Sequence, residues 1–251
     1  MNIVLEATDN NAEYEYELTA FIPCLNEESR VAGALDNIFE SADRKKIKVE
    51  AIVFDDGSTD STTRVVQNYI LENPLRSVRL FSLKKNRGLG LNFIDGAFLA
   101  KGRYYRAVAG DNYEFPASHD LILECIGEKD IILPIYVDVQ GRSMIRTFVS
   151  GLFSRCVNVA SGRKIKYYNG FAVYKTWQVR RYAIESSGFG FQAELTTRLL
   201  QEGASYKEII LPATAQPGSK AISIKNFISV SHSLFRIFAR RISFDIKNLL
   251  Y

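Results

Sequence analysis

"VEAIVFDDGSTDS", residues 49–61, passes from "VEAIVF", read as a wholly apolar strand, into two adjacent carboxylates, Asp55 and Asp56. Gly57 follows, then Ser58, Thr59 and Asp60. The stretch reads as a buried strand, a tight turn at Gly57, and a helix start that Ser58, Thr59 and Asp60 can cap. Val65, Val66, Tyr69 and Ile70 continue at helical spacing. Capping accounts for Asp60 but not for the Asp55–Asp56 pair. Neighbouring carboxylates repel unless donors or a cation offset their charge.

Working outward, the same unit recurs. "YELTAFIP" (16–23) is a strand ending at Pro23, followed by the loop "CLNEES". A helix then carries Val31, Ala34, Leu35, Ile38 and Phe39, with Ser29 as its expected N-cap. "SVRLFSL" (77–83) leads into "KKNRGLG" and a helix through Ile94, Ala97 and Phe98. "YYRAVA" (104–109) leads into "GDNYEFP" (110–116). Strands alternating with helices at short intervals predict an α/β fold with a mostly parallel sheet covered on both faces. Such sheets bind ligands outside the carboxyl ends of their strands. The four acidic or Gly-containing loops therefore converge on one edge.

The second half is less regular. "DIILPIYV" reads as a strand, residues 142–161 as a helix, "YYNGFAVYKTW" as a strand or turn entering a helix, "FQAELTTRLLQEG" as a helix with a Gly stop, and "SYKEIILPA" as a strand. From Ile224, the residues Phe227, Ile228, Leu234, Phe235, Phe238 and Ile242 follow a helical period, with Lys225, Arg236 and Arg240 mainly on other faces. Residues 223–251 thus form a basic amphipathic C-terminal segment beyond a domain spanning 1–222.

With 251 residues, 47% hydrophobic and 24% charged, the chain can bury a substantial core, which excludes disordered and collagen-like classes. A net charge of +4 is too small to argue for nucleic acid. Its distribution matters more. Every charge from Glu6 to Glu17 is acidic, and Asp245 is the sole acid from Lys220 onward. A basic end suits a phosphate-rich ligand or an anionic membrane surface. Cys24, Cys125 and Cys156 are odd in number and scattered, so they read as reduced core thiols in a cytoplasmic setting rather than zinc ligands. The N-terminus does not read as a signal peptide, and no run reaches the ~18 apolar residues of a membrane span. His119 and His232 stand alone and read as surface or satisfied histidines.

"KKNRGLG" is neither a P-loop nor a GxGxxG fingerprint, although Lys84, Lys85, Arg87 and a helix start favour an anion. Taken in order, "FIPCLNEE", "VFDDGSTDS", "KNRGLG" and "GDNYEFP" resemble the inverting family 2 glycosyltransferases, which share the Rossmann-like GT-A fold. "YYNGFAVYK", "GFGFQAELTTRLLQEG" and "PGSKAISIKN" resemble later motifs of its dolichyl-phosphate mannose synthase-like branch.

The resemblance implies a hexosyl transfer from a nucleotide-diphosphate sugar to a polyprenyl phosphate, or to a glycan or lipid-linked hydroxyl. This chemistry belongs to polysaccharide or lipid-linked glycan biosynthesis. It implies that Pro23, Asn26 and Glu27 line a nucleoside pocket and that Asp55 and Asp56 hold base or ribose. Asn86, Arg87 and Gly88 would border the diphosphate. Asp111 falls on the last acid of the family's Asp-x-Asp metal motif and would anchor Mg²⁺ or Mn²⁺, with Asn112 or Glu114 as helpers. Ala109 stands where the first acid would be. Glu194 is the base candidate for a hydroxyl acceptor, with a helix-face carboxylate as the plainer alternative. Arg142, Arg146 and Lys220 are the cations expected at donor or acceptor phosphates, and Arg146 is counted with Asp111 and Glu194 in the catalytic set. Tyr167 and Tyr168 either stack on sugar or pack. The tail either lies peripherally on the inner face of a membrane or docks on protein. Two other classes stay open: a non-catalytic nucleotide-sugar-binding protein, favoured by Ala109, and a sugar-phosphate nucleotidyltransferase, disfavoured by the acidic loop after the first strand.

Overall fold

A computed structural model of the chain describes residues 13–140, 144–182, 190–214 and 224–250. Among these, seven strands form one sheet: β1 (Tyr16–Cys24), β2 (Val49–Asp55), β3 (Ser77–Ser82), β4 (Gly102–Ala107), β5 (Ile131–Gln140), β6 (Val173–Lys175) and β7 (Tyr206–Thr214). Their order is β3-β2-β1-β4-β6-β5-β7. Only β6 runs antiparallel to its neighbours, so the other six strands end at the same edge. The expected α/β architecture with a mostly parallel sheet is what the chain forms.

The helices are α1 (Val31–Lys45), α2 (Thr62–Glu72), α3 (Leu89–Leu99), α4 (Pro116–Glu124), α5 (Met144–Ser161), α6 (Thr176–Arg181), α7 (Phe191–Gln201) and α8 (Ile224–Leu250). Side chains alternate across β1 with period two, and the two faces feed separate cores. Leu18, Ala20 and Ile22 meet α1, α2 and α4 through Leu35, Val66 and Ile122. Phe21, on the other face, joins Phe54, Phe93 and Tyr105 in an aromatic cluster with centroid separations of 5.3, 5.8 and 6.0 Å from Phe21. Phe191 of α7 completes it, 5.0 Å from Phe93. Ring edges meeting ring faces at such distances are favourable beyond area burial.

Several local readings need correction. Ser29 is not the cap of α1; Arg30 holds that position and no side chain caps the helix. The strand "VEAIVF" carries Glu50, a carboxylate only 1% exposed. Thr19 Oγ1, Lys101 N and Arg79 Nη2 all donate to it, at 2.6, 2.5 and 2.7 Å, so the charge is tolerated at the end of the sheet away from the acidic loops. Helix α4 goes unread in the sequence. Pro116 opens it at a position where a missing N–H costs nothing, and its inward face includes Ser118 and His119.

The C-terminal apolar period does form a helix, α8. Ser233 and Ile237 are buried, while Phe235, Phe238, Ile242 and Ile246 are exposed. No helix among the described residues is long and apolar enough to cross a membrane.

Candidate active site

β1 and β4 pair only as far as Phe21 and Ala107. Beyond that point β1 turns towards β2, and its Cys24 carbonyl accepts Asp56 N at 2.9 Å. Strand order reverses here, since β2 and β3 lie to one side of β1 and β4 to the other. A crevice at such a switch point is where open α/β sheets place ligands. Pro23 sits on β1 just past the last β4 partner, where its missing N–H leaves no ladder bond unmade.

The loop after β1 is stapled to the loop after β2. Asn26 adopts a left-handed conformation, φ 60°. Its Oδ1 accepts Thr59 N at 2.8 Å, and its own N–H donates to Ser58 Oγ at 2.9 Å. Glu27 N donates to Thr62 Oγ1 at 2.8 Å, and Ser61 N donates to Glu28 Oε2 at 2.8 Å. Asp60 accepts Thr62 N at 2.9 Å and Glu28 N at 3.2 Å, which ties the two loops, while the N-cap position of α2 is held by Ser61 and no side chain caps the helix. Hydrogen bonds from Thr62 and Glu28 hold its carboxyl below the usual range against the opposing effect of burial.

The Asp55–Asp56 pair has found its donors within the protein. Asp55 accepts Ser58 N at 2.8 Å and the Thr63 hydroxyl. Asp56 accepts Arg87 N at 2.8 Å through one oxygen and Gly88 N at 3.0 Å through the other. Both carboxylates are buried. The Arg87 and Gly88 amides, expected to face an anion, are therefore committed to Asp56. The Arg87 guanidinium turns to Asp95, 2.7 Å away. The loop holding Asn86 packs on Gly57, whose φ of 83° suits glycine and whose Cβ, if present, would lie 3.1 Å from Asn86 N.

Across the crevice, Asp111 follows Gly110, where a Cβ would come within 2.7 Å of both Pro23 O and Cys24 Sγ. One Asp111 oxygen accepts the Tyr113 N–H. The other, Oδ1, is buried and has no hydrogen-bond partner. Burial pushes the Asp111 carboxyl above the usual carboxylate range, with Arg30 acting in the opposite direction. Glu27, 2.7 Å from Arg30 Nη2, is also pushed up, chiefly by burial and further by Asp111. Arg30, which the sequence reading passed over, therefore stands beside both acids. Its only signal was the i,i+3 spacing from Glu27.

The expected helpers of Asp111 are occupied elsewhere. Asn112 Oδ1 accepts Asn37 Nδ2 from α1 at 2.8 Å. Glu114 is buried with Arg106, and its Oε1 receives the Tyr136 hydroxyl while its Oε2 has no hydrogen-bond partner. Arg106 also donates to Phe171 O at 3.1 Å and faces His119 Nδ1 at 3.4 Å. His119 is a buried, satisfied histidine, and burial pushes its pKa down to about 4. His232 is exposed. This buried network anchors the Asp111 loop to β5 and to the segment before β6. Rings continue the connection: Tyr113 lies 5.5 Å from Tyr136, and Tyr136 lies 6.4 Å from Tyr167. Tyr168 is buried, its hydroxyl 2.9 Å from Asn158 Oδ1, so it packs.

Glu194 lies on α7 and is buried. Its Oε2 is 3.5 Å from Arg236 Nε of α8, and its carbonyl accepts Arg240 Nη1 at 3.2 Å. Its Oε1 has no hydrogen-bond partner. Arg142, Lys220 and the side chain of Arg146 lie outside the described residues. Among the described residues no cluster of three or more His, Cys, Asp or Glu side chains suits a metal. The orphaned Asp111 oxygen fits a single protein ligand to a cation that takes its remaining ligands from elsewhere.

Known proteins share this architecture. Dolichyl-phosphate beta-glucosyltransferase of Dictyostelium discoideum is 35% identical over 99 residues, covering 38% of this chain but only 30% of that protein. The enzyme of the same description from Drosophila melanogaster is 24% identical over 247 residues, 89% of this chain and 75% of that protein. Glucosyl-3-phosphoglycerate synthase from Mycobacterium tuberculosis, solved with uridine diphosphate, superposes with a TM-score of 0.67 at 16% identity, over 90% of this chain and 81% of that one. The same enzyme solved with Mn²⁺, uridine diphosphate and phosphoglyceric acid gives 0.68 at 15% identity, over 90% and 78%. These similarities show the GT-A fold. The Glycosyl transferase family 2 profile matches residues 19–186, two-thirds of the sequence and all four loops at the sheet edge, so the chain belongs to glycosyl transferase family 2.

Proposed function

We propose that the chain is a glycosyltransferase that moves a hexose, with inversion, from a nucleotide-diphosphate sugar to a polyprenyl phosphate. The observation that carries this reading is the buried, unpartnered Oδ1 of Asp111 in the crevice between β1 and β4, beside Glu27 and Arg30. An anionic diphosphate with a divalent cation would satisfy that oxygen and offset the acids. The relatives described as acting on dolichyl phosphate support a lipid phosphate acceptor. The M. tuberculosis synthase solved in complex with Mn²⁺ and uridine diphosphate supports the cation.

In this reading Pro23, Asn26 and Glu27 line the nucleoside pocket. Asp55 and Asp56 set its floor by fixing their loops, and each oxygen keeps a lone pair for base or ribose. Asn86, Arg87 and Gly88 form a wall beside the diphosphate. Asp111 would hold Mg²⁺ or Mn²⁺, whose charge would stabilise the departing nucleotide diphosphate. The acceptor phosphate oxygen forms a bond to the sugar's anomeric carbon as the bond to the donor diphosphate breaks, on the opposite side. Arg142, Arg146 and Lys220 supply positive charge for the phosphates. A phosphate monoester is already an anion, so no base is required. Glu194 then holds α8 through Arg236 and Arg240 rather than removing a proton.

The test is single-turnover transfer from UDP-glucose and other nucleotide sugars to a short polyprenyl phosphate, with and without Mn²⁺. Transfer that Asp111→Asn abolishes is the expected result, and transfer unaffected by that change would refute the assignment. One observation favours a second reading. The described residues offer no group of three or more His, Cys, Asp or Glu side chains for a metal, and Ala109 stands where a second acid would be. Tight nucleotide-sugar binding without turnover on any acceptor would establish a non-catalytic binding protein instead.

A further inference from the structure

The guanidinium groups around the C-terminal half of α7 fall into two kinds. Some have an evident structural task. Arg180 donates to Ala97 O at 2.8 Å, Arg163 to Leu200 O at 2.7 Å and Arg241 to Val159 O at 3.0 Å. Each satisfies a carbonyl near the end of a helix, where a cation is also favoured by the helix dipole. Arg181 and Arg198 are held differently, at one aromatic ring. The Arg198 guanidinium lies 3.8 Å and the Arg181 guanidinium 5.5 Å from the ring centroid of Tyr182, the residue that ends α6. Tyr182 is itself buried, and its hydroxyl donates to Glu202. Stacking fixes the direction of a guanidinium without using its N–H donors.

A third guanidinium joins them. Arg240 of α8 donates to Glu194 O at 3.2 Å, the carbonyl one helical turn before Arg198. Arg236 approaches the Glu194 carboxylate at 3.5 Å. Four guanidinium groups thus share two carboxylates, Glu194 and Glu202, and the ion pair of Arg198 with Glu202 is a loose 3.8 Å. The cations disturb one another. Burial, and then Arg181, push the Arg198 guanidinium below its ordinary value. Burial, and then Arg198, do the same to Arg240, with Glu194 and Glu202 acting in the opposite direction. Like charges partly withdrawn from water are costly unless an anion offsets them. The excess here is two positive charges, which a phosphoryl dianion complements.

We infer that Arg181, Arg198 and Arg240 form a second anion site, which binds the phosphoryl group of a soluble ligand away from the donor crevice. Its place in the fold separates the two sites. β6 runs antiparallel to β4, so α6 starts at the sheet edge opposite the acidic loops, and α7 ends at that same edge just before β7. Arg198 lies in the last turn of α7 and Arg181 in the last turn of α6. A planar guanidinium fork matches two oxygens of one phosphoryl group, and stacking on Tyr182 preorganises it for that contact. A bound phosphoryl group ties α6, α7 and α8 together at one point. The inference stands independently of sugar transfer.

The experiment is thermal unfolding of the full chain across a titration of inorganic phosphate, with and without saturating UDP and Mg²⁺, at constant ionic strength made up with sodium chloride. The parent is compared with Arg181→Gln and Arg198→Gln. Arg44→Gln, whose partner is Asp120 on α4, controls for net charge. The expected result is a saturable rise in unfolding temperature that persists with UDP present. Arg181→Gln and Arg198→Gln should each need about tenfold more phosphate for the same rise, and Arg44→Gln should match the parent. Arg181 is exposed at a helix end, so its variant decides the matter should Arg198→Gln destabilise the fold without ligand. A rise that vanishes once UDP saturates would place the phosphate in the donor crevice and overturn the inference. So would no rise in the parent, equal responses in all variants, or a response to dihexanoyl phosphatidic acid without one to inorganic phosphate. The UDP response, read without phosphate, stays unchanged in the variants. Its absence from the parent would strike the donor-site reading alone.

Discussion

Asp111→Asn should stabilise the free protein while removing its metal-dependent ligand response. Asp111 Oδ1 is buried without a partner, and the other oxygen takes the Tyr113 N–H. An unsatisfied buried polar atom costs about 1–3 kcal/mol, more when charged. Asparagine keeps the shape and the acceptor for Tyr113 but discards the charge, which should recover about 1 kcal/mol. In a chain of this size that raises the unfolding temperature by about 2–4 °C. The pH dependence follows from the direction of the shift. Asp111 and Glu27 both have carboxyls raised in the folded state, chiefly by burial. A raised carboxyl favours the fold below its unfolded pKa of about 4, and that contribution disappears as pH rises through the folded value. The free protein should therefore lose this part of its stability on passing from the carboxylate range towards neutrality, and Asp111→Asn should lose less of it. A cation bound by ionised Asp111 reverses the sign, so stabilisation by UDP with Mn²⁺ should be larger at pH 7.5 than at pH 5.5. Thermal unfolding at both pH values, with UDP and with or without Mn²⁺, reads all of these. A variant that melts lower than the parent, or keeps its Mn²⁺ increment, would refute the reasoning.

Three further changes probe the supports of the site. Asp56→Ala strips the acceptor from the Arg87 and Gly88 amides, which should cost about 2–4 kcal/mol in thermal unfolding and weaken UDP binding with it. Lost UDP binding at an unchanged melting temperature would mean that Asp56 touches the nucleoside rather than building the loop. Glu114→Gln leaves the buried Arg106 charge without its counter-ion, at a cost of about 3–5 kcal/mol and a melting temperature lower by roughly 6–20 °C; a shift under 2 °C would show the pair to be dispensable. Glu194→Gln should keep transfer to a phosphate acceptor within about tenfold of the parent, since only a hydroxyl acceptor needs a general base worth ~10²–10⁴ in rate. A hundredfold loss in single-turnover rate would reinstate Glu194 as a base.

What the sequence revealed depended on whether the signal was local. Apolar runs that end in Asp, Gly or Pro announced β1 to β4 and the loops after them, and topology alone then gathered those loops at one edge. Asp60 was legible because one of its partners, Thr62, lies only two residues further on. The task of Asp56 was not, because the amides it accepts lie 31 and 32 residues away. Arg106 was hidden inside an apolar run, since its counter-ion and neighbours converge only after β4, β5 and α4 pack. Helix α4 escaped because buried Ser118 and His119 interrupt its apolar face. For α8 the period was plain, but a stripe of apolar residues states only that one face differs from the other. Which face turns inward was decided by Glu194, a buried carboxylate that takes Arg236.

The acids at the sheet edge divide by the company they keep. Asp55, Asp56 and Asp60 are each surrounded by amide and hydroxyl donors, and they turn otherwise independent loops into one rigid rim. Glu27 and Asp111 are arranged differently. Each sits near the other, burial disfavours the charge of both, and Arg30 is the cation beside them. Their field extends below, where burial and then Glu27, Asp55 and Asp111 push the Cys24 thiol far up, leaving it inert. A fold that merely needed a turn after β4 would be more stable with an amide or hydroxyl at position 111. An ionisable group with an unpartnered oxygen, mounted on a rim that three other carboxylates hold still, is destabilising when empty and preorganised when filled. That combination, more than any single motif, is what separates a binding edge from a structural one.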